Sequence, residues 1–268
     1  MIRIAITLAL AAILTACTTT PMTRQIPSAA AIAELAPSGK LRAAINFGNP
    51  ILATRDKVSG EAYGVSVDLS RELARRLNVP LELVTFNAAG RVVEGLKSGM
   101  WDVAYVAIDP ARAVDMDYSA PYVVIEGAYL VPRGSPITRN EEVDSEGVRI
   151  VVGSGSAYDL YLSRELKKAK IVRAPTSPAV TDMMVAHKID VAAGVKQQLE
   201  ADAKRIPGLR LLEGRFMVIN QAMATPRGRA AGARYLADFI EEMKASEFIA
   251  NALTLHGIEG ATVAPPAR

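Results

Sequence analysis

Residues 66–86 read SVDLSRELARRLNVPLELVTF, and the period of their apolar side chains changes halfway along. Leu69, Leu73 and Leu77 recur every fourth position, which puts them on one face of a helix. Ser66 stands where it can cap that helix, and Asp68 falls in its positive first turn. Beyond Asn78 and Pro80 the pattern becomes a short apolar run, LELVTF, which fits a buried strand. The flanking segments continue the alternation. LRAAINF (41–47) reads as a strand, RVVEGLKSG (91–99) as a helix stopped by Gly99, and DVAYVAI (102–108) as a strand. Parallel neighbours need a crossover, so the order β-α-β-α-β predicts a parallel sheet flanked by helices.

A second series starts near Val148. VRIVVGSGSAYDLYLSRELKKA (148–169) predicts a strand, a glycine-rich turn and a helix capped by Ser156, with Asp159 in a position like that of a capping box. KIVRA (170–174) is a strand. SPAVTDMMVAH (177–187) is a helix with Ser177 as cap and Pro178 in its first turn. IDVAAGV (189–195) is a strand and KQQLEADAKR (196–205) a surface helix. RFMVINQAMAT (215–225) returns as a strand, and a helical stretch runs from about Pro226 to Leu255. The two series predict two α/β lobes with crossings near Tyr129–Arg133 and Met217–Met223. A cleft between domains is a common place for a ligand.

Composition excludes several functions. The chain has 268 residues, half of them apolar, and a net charge of +3. No basic run is interleaved with aromatics, so nucleic acid is not an expected partner. One cysteine, Cys17, excludes an internal disulfide and a cysteine-based zinc site. The two histidines, His187 and His256, are not at metal-binding spacing, and neither a metal nor a cofactor is expected. GSGSAYD lacks the later glycine of a dinucleotide fingerprint, and no Walker lysine follows it. At the N-terminus, Arg3 precedes an apolar run from Ile4 to Leu14, too short to span a bilayer and suited to an export signal. LTAC (14–17) resembles a bacterial lipobox, which implies lipidation of Cys17. Ordinary cleavage nearby, releasing a soluble protein, is the competing reading. Residues 18–37, rich in Thr, Ala and Pro, are expected to form a tether.

The order of motifs resembles the family 3 extracellular solute-binding proteins, which serve ABC importers for polar amino acids and related small solutes. The resemblance covers about residues 38–258. It rests on GKLRAAI (39–45), GVSVDLSRELARRL (64–77), LKSGMWDVAYVAIDPARAVDMDYSAPY (96–122), VGSGSAYDLYL (152–162) and HKIDVAAGV (187–195). It implies a two-lobed type II periplasmic-binding-protein fold with a ligand cleft between the lobes. Lobe 1 would hold residues 38–130 and 221–258, lobe 2 residues 131–220, and residues 259–268 a C-terminal tail. The resemblance also implies a monomer outside the cytoplasm that delivers its solute to a membrane permease.

The same resemblance assigns candidate ligand-binding residues. Arg112 matches an arginine that pairs with a ligand carboxylate, and a guanidinium offers that group a two-pronged fork. Ser156 matches a hydroxyl at a helix start that meets the same carboxylate. Asn46 matches a position that contacts the ligand's distal polar group. Five positions depart from the family pattern, among them Ser66, which stands where an Asp opens the helix. Ala107 stands where a hydroxyl is usual, and Val195 where an acid meets the α-ammonium. Asn49 and Val65 replace aromatic walls. Glu126 or Asp109 would have to supply the missing acid. An alternative on the same fold is a periplasmic dehydratase of the cyclohexadienyl or arogenate type, with Arg112 holding a carboxylate and Glu126 protonating the leaving hydroxide. The lipobox reading is open to a direct test. Cys17→Ser is expected to release the protein into the soluble periplasmic fraction or leave it unprocessed. Equal membrane association of the two forms in cell fractionation would refute lipid anchoring.

Overall fold

The computed structural model describes residues 25–267. Cys17 and the expected export signal lie outside the described residues. The chain begins with α1 (Ala29–Leu35) and β1 (Leu41–Asn46). A small hairpin of β2 (Thr54–Arg55) and β3 (Ala62–Tyr63) leads into α2 (Val65–Leu77), β4 (Leu81–Phe86), α3 (Ala89–Lys97) and β5 (Val103–Ala107). The long strand β6 (Met116–Pro132) carries the chain into a second unit. That unit comprises β7 (Arg149–Gly153), α4 (Ala157–Glu165), β8 (Lys170–Ala174), α5 (Val180–Ala186), β9 (Val191–Val195), α6 (Lys196–Arg205) and β10 (Leu209–Leu211). The return strand β11 (Met217–Pro226) is followed by α7 (Ala230–Ala245), α8 (Phe248–Leu255) and β12 (Thr262–Val263).

The two predicted parallel sheets are the wings of one ten-stranded sheet in the order β4-β1-β5-β11-β6-β9-β7-β8, with β10 and β12 on β6. β1 is parallel to β4 and β5, and β7 is parallel to β8 and β9. The antiparallel pair β6 and β11 joins the wings, giving an α/β fold of two lobes. β6 pairs with β11 over Met116–Gly127 and with β9 over Gly127–Leu130. β6 thus exchanges β11 for β9 as its pairing partner around Gly127, just ahead of the Tyr129–Arg133 stretch where the crossing is expected. Apolar periodicity cannot mark the change, because one 17-residue strand runs through it.

Leu69, Leu73 and Leu77 are fully or almost fully buried in the core of lobe 1, as their spacing requires. Ser66 does not cap α2. Gly64 occupies the cap at φ 122°, and an added Cβ there would stand 2.6 Å from the Leu52 carbonyl oxygen. Only glycine tolerates that backbone and that approach. Ser66 is buried, its Oγ 3.4 Å from Tyr122 Oη. Ser156 does cap α4, accepting from the Asp159 amide at 3.0 Å. Ser177 and Pro178 open a short 3-10 turn preceded by Thr176, so Ser177 is not the cap. Part of the expected tether is folded. Ser28 caps α1, whose Ala31 and Leu35 are buried, with Leu35 packed against Gly232 of α7. The alanines there act as helix formers. The C-terminal residues are also docked: β12 pairs with Val123–Val124 of β6, and the Ala264 amide donates to Tyr122 O. Among the described residues no helix is long and apolar enough to cross a membrane, and no group of three or more His, Cys, Asp or Glu could hold a metal ion.

A buried carboxylate joins the elements of lobe 1. Asp102 has no exposure. It accepts from Arg42 Nε at 2.9 Å, Arg42 Nη2 at 2.8 Å and Arg229 Nη1 at 3.1 Å. Its main-chain carbonyl accepts from Thr225 Oγ1 at 3.0 Å. Strands β1 and β11 and the entrance to α7 are thus fastened to the start of β5. Hydrogen bonds to charged groups contribute about 1.5–3 kcal/mol each, and both arginines here are partly exposed and can regain water. Asp102→Ala is expected to lower unfolding stability by about 2–3 kcal/mol in urea denaturation, with the far-UV spectrum unchanged. A loss within experimental error would show that these contacts are incidental.

A candidate ligand site between the lobes

In a parallel sheet, side chains at the carboxyl ends of strands open into the crevice beyond the sheet. Here the two wings direct those ends toward each other. β1 ends at Asn46, β5 at Ala107, β7 at Gly153 and β9 at Val195, and β11 crosses the floor with Ile219 and Gln221. The N-terminus of α4 brings Ser156 and Tyr158 from lobe 2.

Arg112 sits in the turn after β5, where its amide donates to Asp109 O. The side chain is only 3% exposed. Its Nη1 donates to Ala107 O at 3.0 Å, and its Nη2 crosses to lobe 2 and donates to Gly155 O at 2.7 Å. Nε is buried without a partner among the described residues. Burial pulls the guanidinium below its ordinary pKa, opposed by Tyr118 and Asp109 nearby. Asp109 does not neutralise Arg112 directly. Its carboxylate is held by Arg164 of α4 at 2.9 and 3.3 Å, a second tie between the lobes.

The other polar groups of the cavity are neutral. Asn46 Oδ1 accepts from the Gly48 amide at 2.9 Å. Asn49 Oδ1 is buried with no hydrogen-bond partner among the described residues. Burial pushes the Tyr158 phenol up, offset in part by the adjacent Ser177 and Ser156 hydroxyls. Gln221, also buried, lies where the register of β11 shifts against β6.

Six of the residues expected from sequence line this one cavity: Arg112, Ser156, Asn46, Asn49, Ala107 and Val195. Two do not. Val65 is the first residue of α2 and is wholly buried in the core of lobe 1. Glu126 lies on β6, held by Arg215 Nη1 at 2.6 Å and Lys196 Nζ at 3.1 Å, chiefly the former depressing its pKa. Its ion pairs favour the ionised form and it does not line the cavity, an arrangement that does not favour the proton-donating role the dehydratase alternative gave it. Sequence reading missed Gln221, Tyr158 and Ser177. An amide inside the apolar run RFMVINQAMAT was the available signal for Gln221.

The cavity volume is about 30 Å³, room for roughly a couple of water molecules. The lobes meet at two glycines. Gly155 has φ +67°, and an added Cβ would lie 2.6 Å from Gly90 Cα. The cavity as it stands has no room for a solute of amino-acid size. A larger groove of about 850 Å³ runs between α2 and α8, but its charges are mutually paired, with Glu72 on Arg75 and Arg76, and Arg76 on Glu242.

The sequence profile of the bacterial extracellular solute-binding proteins, family 3, matches residues 41–254. Similar solved structures include the solute receptor for L-cysteine of Neisseria gonorrhoeae, with a TM-score of 0.74 and 22% identity over 84% of this chain and 92% of that one. An amino acid ABC transporter substrate-binding protein of Streptococcus pneumoniae, bound to L-arginine, aligns with a TM-score of 0.72 and 19% identity over 87% of this chain and 99% of that one. An ancestral amino acid-binding protein, a precursor of cyclohexadienyl dehydratase, gives 0.71 and 21% over 84% and 98%. At these identities the likeness is one of fold.

The glycine contact makes closure testable. Gly155→Ala adds a Cβ at a positive φ and against Gly90, so it is expected to hold the lobes apart. Small-angle scattering should then give a larger radius of gyration than the unsubstituted protein at equal secondary-structure content. An identical scattering curve would mean that the lobes do not close on this contact.

Proposed function

The chain belongs to the bacterial extracellular solute-binding proteins of family 3, and from that premise we propose that it captures a small carboxylate-bearing solute for an ABC-type importer. The class includes polar amino acids and related compounds. The observation that carries this reading is Arg112, a buried guanidinium lining the cavity that among the described residues forms no ion pair and keeps its Nε–H without a partner. A buried cation of this kind is costly unless an anion meets it, and its planar fork suits a carboxylate. Ser156 and the first-turn amides of α4 would meet the same group from lobe 2, aided by the helix N-terminus.

The mechanism would be a hinge motion in which β6 and β11 bend and the lobes close over the solute. The moving bodies would be residues 38–130 with 221–258, and residues 131–220. No bond is broken, so the protein acts as a binder and not as an enzyme. Export, lipidation at Cys17, a monomeric state and delivery to a permease complete the proposal. They rest on the N-terminal sequence and the family.

A thermal-shift screen of amino acids, opines, organic acids and amines would identify a ligand, since binding only the folded state raises its melting temperature. Losing one partner of a desolvated charged pair costs about 2–5 kcal/mol. Arg112→Ala is therefore expected to weaken binding of that ligand by about thirty-fold or more in calorimetry. Arg112→Lys should recover only part of it, because an ammonium lacks the fork. Unchanged affinity in Arg112→Ala would remove the carboxylate reading.

A further inference from the structure

Resting on that reading, we propose that the solute is a small carboxylate whose other polar groups are neutral hydrogen-bond donors, a hydroxy acid or an amide acid, and not a zwitterionic α-amino acid. The argument is an inventory of charge. Among the described residues lining the cavity, Arg112 is the single ionised side chain. One carboxylate neutralises it. An ammonium brought in with that carboxylate would leave the closed cavity with a net positive charge and no acid to answer it.

The acids around the site are committed elsewhere. Asp109 is gripped by Arg164 and also accepts from the Ala111 amide. Asp159, buried beneath the Gly155 turn, accepts from the Gly155 amide at 2.9 Å and from Arg173 Nε at 3.1 Å. Glu126 lies between Lys196 and Arg215. None of the three lines the cavity. Two nearby main-chain carbonyls, Ala107 O and Gly155 O, already accept from Arg112. Stripping an ammonium of water without a paired anion costs more than neutral hydrogen bonds return.

What the cavity offers besides Arg112 is neutral. Among the described residues Asn49 Oδ1 is a buried acceptor without a donor, and Gln221 and Tyr158 also line the cavity. A hydroxyl or an amide N–H satisfies Asn49 Oδ1 and brings no charge. Val195 and Ala107 complete the surface with apolar contact.

Calorimetry on matched pairs tests this. Glutaramate and glutamine, succinamate and asparagine, and lactate and alanine differ, respectively, by an α-ammonium, by an α-ammonium, and by hydroxyl against ammonium. In each pair that binds, the member without the ammonium is expected to bind about tenfold tighter or more, a difference of about 1.4 kcal/mol. Equal or tighter binding of the amino acids would overturn the inference and leave the carboxylate reading standing. Failure of every carboxylate in the wider screen would overturn that reading, and the inference with it. Gln221→Glu supplies an acid of nearly the same shape. It is expected to shift the ratio within each pair severalfold toward the amino acid. An unchanged ratio in a folded variant would count against the inference.

Discussion

Arg112 carries a full charge into a place that water barely reaches, and the architecture of both lobes converges on it. One of its nitrogens holds the end of β5 and another holds the turn before α4. Those two carbonyls belong to different lobes, so the guanidinium is also a strut across the cleft. Carbonyl oxygens solvate a cation only in part, since each brings a dipole and no charge. The closed form is therefore adequately but incompletely bonded at its centre. That is a suitable condition for a binder, because an anion can improve on the self-contact, whereas a fully neutralised arginine would leave nothing for a ligand to supply.

In the proposed hinge motion the sheet would let such a strut be made and broken without unfolding either lobe. β6 and β11 keep their mutual hydrogen bonds through the crossing, and the register shifts around Ala222 loosen the ladder near Gln221. A bulge bends and twists a strand locally. The side chain placed at that bend is one of those facing the cavity. Asp102 and its two arginines fasten lobe 1, an apolar cluster around Val151 and Leu199 fills part of lobe 2, and the main apolar core runs through both. As the angle changed the two strands would stay paired, and the ties to be broken are Arg112 to Gly155 O and Asp109 to Arg164.

The regular elements were readable because their signals are local. Leu69, Leu73 and Leu77 report a helix face through spacing alone, and Ser156 reports a cap because its hydroxyl satisfies an amide three residues on. Ser66 misled because a hydroxyl at a helix start looks the same whether it caps the helix or packs beside Tyr122. Gly64 took the cap through a close approach to Leu52 that only the fold creates. α1 was hidden in an alanine-rich stretch whose burial depends on α7, some 200 residues away in the chain. At the site, Arg112 was legible through motif order, while Glu126 was misplaced. Its neighbours Lys196 and Arg215 are distant in sequence, and nothing local shows that they take its charge. Tyr158 and Gln221 belong to the cavity only because two lobes face each other, and no single segment records that.

The last strand has a practical meaning. β12 occupies the edge of β6 at Val123–Val124, just before β9 takes that edge over at Gly127. The residues after it are held as well, with Lys244 Nζ donating to Pro265 O and the Ala267 amide to Glu241. The chain therefore leaves the molecule beside its pivot and bound to lobe 1. A fluorophore or fused domain attached there would ride with the fixed frame, swinging through a small arc as the other lobe moves. Paired with a second dye on the outer face of lobe 2, it would make the chain a reporter whose signal reads the angle of the hinge directly.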